Sequence, residues 1–283
     1  MSSPQDPATR QREFLTVSML RYGKFKEGWE LYEERVSRLN WVGRLSFPEW
    51  RGEAVRSLLV LPEQGLGDQI QFVRYVLDLK ARGIEVTLVA PPPLVRLFAA
   101  LGVTVLAAVD GMEIARHDAW VAIASLPARL GAHAETISGA PYLPAAQGGG
   151  GIGLVTRGDP NYSADGNRTL PEELAAEIRA WRGVQSLHPE DTGSKDMEET
   201  ARIIDRLSLV ISVDTSVGHL AGAMGKPCWL LIPQIADWRW LVDREDSIWY
   251  ARHRLYRQTE AGGWRGVIDR VRADLDSERP VLG

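Results

Sequence analysis

Residues 210–233 combine residue types that bind anions. A β-branched run, Val210–Val213, is followed by Asp214, Thr215 and Ser216, which are residue types that cap helices. A short helix of small residues and a second buried strand are predicted next. A helix that begins at the carboxyl end of a parallel strand presents free N–H groups and a partial positive charge. A phosphate or diphosphate is therefore the expected ligand.

Two residues of the predicted helix, which spans residues 217–224, belong to the same candidate site. Gly218 lies in its first turn, and His219 lies four residues after Thr215 on the same face. The imidazole can therefore reach an anion bound at the start of the helix. On spacing alone, an ordinary helix cap with a histidine nearby is the alternative interpretation.

A second candidate site follows an earlier predicted strand. Gly65 and Gly67, preceded by Gln64, are expected to let the backbone turn sharply and a ligand approach closely. Asp68 then falls in the first turn of a helix predicted over residues 67–81, where the helix dipole favours an ionised carboxylate that can accept a proton or a hydrogen bond. The alternative is that Asp68 is simply an acidic residue at a helix N-terminus.

Composition excludes several classes of protein. The chain has 283 residues, of which 45% are hydrophobic, and a net charge of −4, which argues against nucleic acid as the main partner. A single cysteine, Cys228, provides neither a disulfide framework nor a cysteine metal site. No apolar run approaches the ~20 residues that span a bilayer, and the N-terminus lacks a secretion signal, so we expect a cytoplasmic protein.

The order of predicted elements indicates an α/β protein in three segments. Residues 1–49 form a helical pair similar to part of a tetratricopeptide repeat (TPR), which cannot bury its own hydrophobic face. Strands and helices alternate over residues 50–146, and alternate again over residues 147–283 after the glycine-rich linker 147–151. The pattern predicts two Rossmann-like domains, with a closing helix over residues 264–275.

Four sequence blocks resemble a known group of enzymes. EQGLGDQIQFVRY, NRTLP, LSLVISVDTSVGHLAGAMGKPCWLL and DWRWLVDREDSIWYARHRLYRQ are similar to TPR-linked bacterial glycosyltransferases, which are related to the ADP-heptose:lipopolysaccharide heptosyltransferase family. The resemblance extends from about Gly23 to Val271. It implies the GT-B fold, in which two Rossmann-like domains face a cleft and the C-terminal domain holds most of the donor. It also implies transfer of a sugar from a nucleotide sugar, without a metal or another cofactor.

The resemblance also implies roles for individual residues. Asp68 matches the general base that removes a proton from the acceptor hydroxyl. Thr215, Ser216 and His219 match residues that hold the donor phosphates, and Arg168 matches a basic residue able to hold the diphosphate. The only Asp-x-Asp sequence lies in the closing helix and is interpreted as surface charge, in keeping with metal independence.

The segment Asp237, Trp238 and Arg239 is expected near the donor, because it follows the strand that ends before Pro233. Trp238 either stacks on a base or sugar or packs in a core. The expected acceptor is a protein, for example a flagellar or surface protein, or a cell-surface glycan. Two other functions remain open at this point: a non-catalytic nucleotide- or protein-binding scaffold at the end of a TPR array, and a nucleotide-sugar epimerase.

Overall fold

The computed structural model of the chain describes residues 7–146, 149–159 and 165–282. Two compact units are present: unit 1 comprises Met1–Ile137 and Asp237–Val242, and unit 2 comprises Ser138–Ala236 and Asp243–Gly283. Two residues of the predicted linker, 147 and 148, lie outside the described residues. The division of the chain at residue 147 stays a prediction.

Unit 1 is a parallel α/β structure preceded by helices. The first three helices are α1 (Pro7–Arg21), α2 (Phe25–Tyr32) and α3 (Val36–Leu39). The strands are β1 (Ser57–Leu61), β2 (Glu85–Ala90), β3 (Thr104–Ala107) and β4 (Ala119–Ala122). They form one parallel sheet in the order β3-β2-β1-β4. The remaining α-helices are α4 (Leu66–Phe72), α5 (Arg74–Ala81), α6 (Pro92–Phe98) and α7 (Leu126–Arg129).

One predicted helix of unit 1 is two helices. The helix expected over residues 67–81 is interrupted at Val73, where α4 ends and α5 begins. The Val76 N–H bonds to the Val73 carbonyl at 2.9 Å, an i to i+3 bond that tightens the turn. The single-helix prediction is therefore wrong, although both helices keep their apolar faces buried.

The N-terminal helices are integrated into unit 1. A Cβ atom added to Gly28 would lie 2.5 Å from Leu20 Cδ2, so α1 and α2 approach each other closely only because residue 28 is glycine. The Trp29 indole N–H donates to the Ala132 carbonyl at 2.7 Å. Within residues 7–49, Leu20, Phe25 and Trp29 are thus buried in unit 1, whereas Phe14 and Tyr22 are exposed. The TPR-like character of this segment stays a prediction.

Unit 2 is a five-stranded parallel sheet with helices on it. Its strands are β5 (Ile152–Val155), β6 (Val184–Ser186), β7 (Leu209–Val213), β8 (Cys228–Ile232) and β9 (His253–Arg257). The sheet order is β6-β5-β7-β8-β9. Its helices are α8 (Asp165–Arg168), α9 (Glu172–Arg179), α10 (Pro189–Thr192), α11 (Met197–Asp205), α12 (Ser216–Ala223) and α13 (Trp264–Leu282). The closing helix α13 is longer than predicted.

The buried faces of both sheets explain why the strands were readable from the sequence. Strands β7 and β8 are buried along their whole lengths, as expected for continuous apolar runs in a parallel sheet.

Within the described ranges, no helix combines the length and apolar character that crossing a membrane requires.

Candidate functional site

The glycine loop of unit 1 turns at an unexpected residue. Gln64 has a φ of 63°, whereas Gly65 has a φ of −78° and an extended backbone. The prediction that Gly65 makes the sharp turn is therefore wrong; a hydrogen bond from the Gln64 Nε2 to the Tyr32 hydroxyl, at 2.6 Å, holds the left-handed residue in place. Gly67 lies within the first turn of α4.

Asp68 is the third residue of α4 and is held by the backbone of the loop. The Gly65 N–H donates to Asp68 Oδ2 at 2.8 Å, the reciprocal half of a capping box. A Cβ atom at residue 65 would lie 3.1 Å from that oxygen, so glycine leaves room for the carboxylate. Asp68 itself is only partly exposed, with 21% of its side chain accessible.

Asp68 also forms an ion pair that the sequence did not predict. Its Oδ1 accepts a hydrogen bond from Arg239 Nη2, although the two residues are 171 positions apart in the chain. Arg239 belongs to the short segment Asp237–Val242. This segment is part of unit 1, although it follows most of unit 2 in the sequence. Within unit 1 the segment lies against the glycine loop, and its expected position near the donor stays a prediction.

The segment is anchored by an aromatic cluster. Trp238 is 4% exposed, and its ring lies edge-on to Trp29 at 5.5 Å and to Tyr32 at 6.2 Å between centroids. Trp238 therefore packs in the interior of unit 1, which is one of the two alternatives read from the sequence. The Arg239 guanidinium lies 4.3 Å from the centroid of the Trp238 ring.

Burial and the charge of Arg239 shift the pKa of the Asp68 carboxyl in opposite directions. Burial raises the pKa of the Asp68 carboxyl, and the positive charge of Arg239 opposes that rise. The neighbouring Asp237 carboxylate adds to the rise. Burial also raises the pKa of Tyr32, to about 12. A partly exposed carboxylate with a raised pKa has the character of a general base.

In unit 2, the candidate anion site lies where β7 ends and α12 begins. Thr215 is the N-cap residue, with an extended backbone, and Ser216 begins the helix. In the part of the chain that the structure describes, the Thr215 side chain does not cap the helix. Its Oγ1 lies 3.2 Å from Ser212 Oγ instead. The Thr215 hydroxyl therefore does not occupy the N–H groups of the first turn.

Arg168 is brought to this helix start. It is the last residue of α8, a short helix that the sequence analysis missed, and its Nη1 donates to the Asp214 carbonyl at 2.6 Å. The guanidinium thus lies beside the residue that precedes the Thr215 cap. Because a cation and a helix N-terminus both favour negative charge, their combination suits a diphosphate.

His219 is buried on the inner side of α12. Its Nδ1 lies 2.8 Å from the Tyr250 hydroxyl, and its Nε2 lies 3.9 Å from Asp214 Oδ1. Tyr250 therefore orients the ring so that Nε2 is on the side of the helix start. Tyr250 precedes β9 and lies in the last of the four blocks that carry the resemblance, but the sequence analysis gave it no role.

Two glycines let α12 pack closely. A Cβ atom at Gly218 would lie 2.8 Å from Leu230 Cδ1 on β8. At Gly222 it would lie 2.4 Å from the Tyr250 ring, the same side chain that orients His219. The structure thus assigns Gly218 a packing contact with the sheet.

We expect the change Gly222→Ala to lower the free energy of unfolding of unit 2 by about 1–3 kcal/mol, because the methyl group overlaps the buried Tyr250 ring. Urea denaturation of the whole chain measures this loss. The matched control is Gly266→Ala in α13, where an added Cβ atom meets nothing within 4 Å. Equal effects of the two changes would contradict the close packing of α12.

The β7–α12 part of the unit 2 site lies within a segment that matches a known family. Residues 169–230, from the residue after Arg168 to the middle of β8, match the sequence model of Glycosyltransferase family 9 (heptosyltransferase). The chain resembles glycosyltransferase family 9. This match includes Asp214, Thr215, Ser216, Gly218 and His219. The resemblance to heptosyltransferases recognised in the sequence is confirmed, whereas the linkage to tetratricopeptide repeats stays a prediction.

A longer relative matches nearly the whole family 9-like chain. Protein FlbA of Caulobacter vibrioides is 25% identical over 335 aligned positions, which cover 96% of this chain and 56% of that protein. The chain therefore spans about half the length of this relative.

Solved glycosyltransferase structures share the fold. E. coli heptosyltransferase WaaC with ADP is 10% identical, with a TM-score of 0.54 over 78% of this chain and 99% of that one. A family 9 glycosyltransferase from Veillonella parvula is 11% identical, with a TM-score of 0.55 over 81% and 98%. E. coli ADP-heptose lipopolysaccharide heptosyltransferase II is 13% identical, with a TM-score of 0.52 over 79% and 99%. The α/β fold with parallel sheets, expected from the resemblance, is confirmed.

Among residues 7–146, 149–159 and 165–282, no group of three or more His, Cys, Asp or Glu side chains is arranged to hold a metal ion.

Proposed function

We propose that the chain transfers a glycosyl group from a nucleotide-sugar donor to an acceptor hydroxyl. The observation that carries this proposal is the contact of Arg168, which directly precedes the family 9 segment, with the carbonyl of Asp214 inside that segment, at the start of α12. It supports a diphosphate site in unit 2, formed by Arg168 and the first turn of α12. Thr215 and Ser216 lie at the same helix start, and His219 lies one turn further along.

The unit 2 residues would stabilise the leaving group. During transfer, the bond between the anomeric carbon and the diphosphate oxygen breaks, and the electron pair leaves with the nucleoside diphosphate. The Arg168 guanidinium and the N–H groups of α12 would stabilise the charge that develops on that oxygen. Since these groups supply positive charge from the protein itself, we propose that transfer is independent of metal, and activity retained in EDTA would test this.

Asp68 would act on the acceptor. As the acceptor oxygen forms a bond to the anomeric carbon, its proton passes to the Asp68 carboxylate. Each carboxylate oxygen of Asp68 accepts a hydrogen bond, Oδ2 from the Gly65 N–H and Oδ1 from Arg239, while 21% of the side chain stays accessible to a hydroxyl. The arrangement therefore supports a base that is oriented by the protein and still able to take a proton.

The proposed acceptor is a hydroxyl of a protein, such as a flagellar or surface protein, or of a cell-surface glycan. The proposed compartment is the cytoplasm. Cys228 is buried and is not in a disulfide, as is usual for proteins of a reducing compartment.

A thermal-shift screen tests the donor site. We expect one nucleotide among ADP, UDP, GDP, CMP and dTDP to raise the Tm by a few degrees, because a ligand at about 100 times its Kd adds about 2.7 kcal/mol to the stability of the native state. ADP is the first candidate, since the similar WaaC structure contains it. Arg168→Ala should remove most of the shift.

The matched control for that variant is Arg179→Ala, which removes an exposed ion pair with Glu172 on α9. It should leave the shift unchanged. A panel without any hit, on well-folded protein, would contradict the donor site and favour the non-catalytic scaffold.

A further inference from the structure

Arg239 is held by hydrogen bonds along its whole guanidinium group. Its Nε donates to Gln71 Oε1 at 2.6 Å, its Nη1 to Asp237 Oδ1 at 2.8 Å, and its Nη2 to Asp68 Oδ1. The side chain is 7% exposed, and Trp238 covers it at 4.3 Å. Such a group has little freedom to reorient, so its position relative to Asp68 is defined by the fold.

Asp68 is correspondingly held at both oxygens. The loop backbone bonds to Oδ2 through Gly65, and Arg239 bonds to Oδ1. With both oxygens fixed, the carboxylate plane has one orientation, and the remaining lone pairs point in defined directions. The ion pair with Arg239 thus fixes the orientation of the Asp68 carboxylate as well as balancing its charge.

We infer that Arg239 is the positioning residue of Asp68: it orients the carboxylate and keeps it ionised, so that Asp68 accepts the acceptor proton. This inference rests on the proposed function. Arg239 does not itself need to contact the acceptor or the donor. Its contribution acts through Asp68, and Asp237 in turn positions Arg239 through their hydrogen bond.

The charges around Asp68 predict the direction in which its pKa changes when each of them is removed. Arg239 and Asp237 face it from the segment Asp237–Val242, and Tyr32 faces the same group from α2. Loss of the Arg239 charge removes the influence that lowers the Asp68 pKa, whereas loss of the Asp237 charge removes one that raises it. A base works only above its pKa, so the two changes should move the acid limb of the pH–rate profile in opposite directions.

Three variants separate charge from geometry. For Arg239→Gln, we expect the acid limb of kcat/KM to move to higher pH and kcat to fall by about 10- to 100-fold. For Asp237→Asn, the acid limb should move to lower pH. Arg239→Lys keeps the charge without the planar fork, so it should restore the position of the limb while kcat stays below that of the native chain. Arg244→Gln, which breaks an exposed pair with Asp246, is the control and should change neither.

A carboxyl titration makes the inference testable without turnover. In protein labelled with ¹³C at the aspartate carboxyl groups, the Asp68 resonance is assigned from its loss in Asp68→Asn and followed against pH in the native chain and in each variant. We expect a higher midpoint in Arg239→Gln and a lower one in Asp237→Asn, whether or not a donor has been found. The Tm of each variant identifies any that fails to fold, and Arg239→Lys and Asp237→Asn then carry the test. Unchanged midpoints in folded variants would overturn the inference, while expected midpoints without any turnover would count against the glycosyltransferase proposal alone.

Discussion

Replacing Asp68 with asparagine is expected to lower kcat by about 100- to 10,000-fold, the usual contribution of a general base, and to leave nucleotide binding unchanged. Asparagine keeps the shape of the side chain and can still accept from the Gly65 N–H, but it cannot take the acceptor proton. Initial rates at saturating donor, together with the nucleotide thermal shift, measure the two parts of this expectation separately.

The matched control for the base is Asp78→Asn, an exposed aspartate on α5 whose loss should change kcat less than twofold. Removal of Asp68 also leaves Arg239 with one carboxylate fewer, so the Tm must be recorded with the rate. Native turnover in a folded Asp68→Asn protein would exclude Asp68 as the base. Loss of the nucleotide shift would indicate instead that Asp68 supports the donor site.

Removal of Arg35 is expected to destabilise unit 1 by about 3–5 kcal/mol, because it leaves a buried carboxylate without its partner. Arg35 pairs with Glu63 through both oxygens of a side chain that is 0% exposed, and it also donates to Ser125 at 2.7 Å. Ser37 donates a further hydrogen bond to Glu63, but this neutral hydroxyl cannot balance the negative charge of the carboxylate. The change is Arg35→Gln, and urea denaturation followed by tryptophan fluorescence measures it.

Two comparisons identify the cause of that loss. Arg12→Gln breaks the exposed pair with Glu34, where both side chains are more than half accessible, and should cost less than about 1 kcal/mol. The double change Arg35→Met with Glu63→Leu removes both charges and should recover much of the stability. If Arg35→Gln lost no more than Arg12→Gln, the buried pair would not be an important support of unit 1.

Both sheets could be predicted because their signals are local. Continuous apolar runs such as Cys228–Ile232 are read directly as buried strands of a parallel sheet, and helices alternate with them. The predictions of local structure are wrong where two local rules compete. A glycine is the usual residue for a positive φ, but the loop uses Gln64, because the bond to Tyr32 stabilises that conformation. The hydrogen bond from Val76 to Val73, which separates α4 from α5, likewise leaves no sign in the spacing of apolar residues.

The two candidate sites differ in how far the sequence could predict them. The start of α12 follows from a general rule, since ligands bind outside the carboxyl ends of parallel strands, and Thr215 lies at such an end. The pair of Asp68 and Arg239 follows from no local rule. The two residues are 171 positions apart, and the return of Asp237–Val242 to unit 1 is a property of the whole fold.

That return has a consequence for how the protein is made. Between Ile137 and Asp237 the ribosome synthesises about a hundred residues of unit 2, which takes about 5–20 s at ordinary rates of translation. Throughout that interval the nascent unit 1 lacks Trp238 and Arg239, and Asp68 has no counter-charge. An isolated fragment that stops near residue 137 would stay in this state permanently. Unit 1 is thus encoded in two separate stretches of the gene, and the Asp68 carboxylate acquires its partner Arg239 only after most of the polypeptide exists.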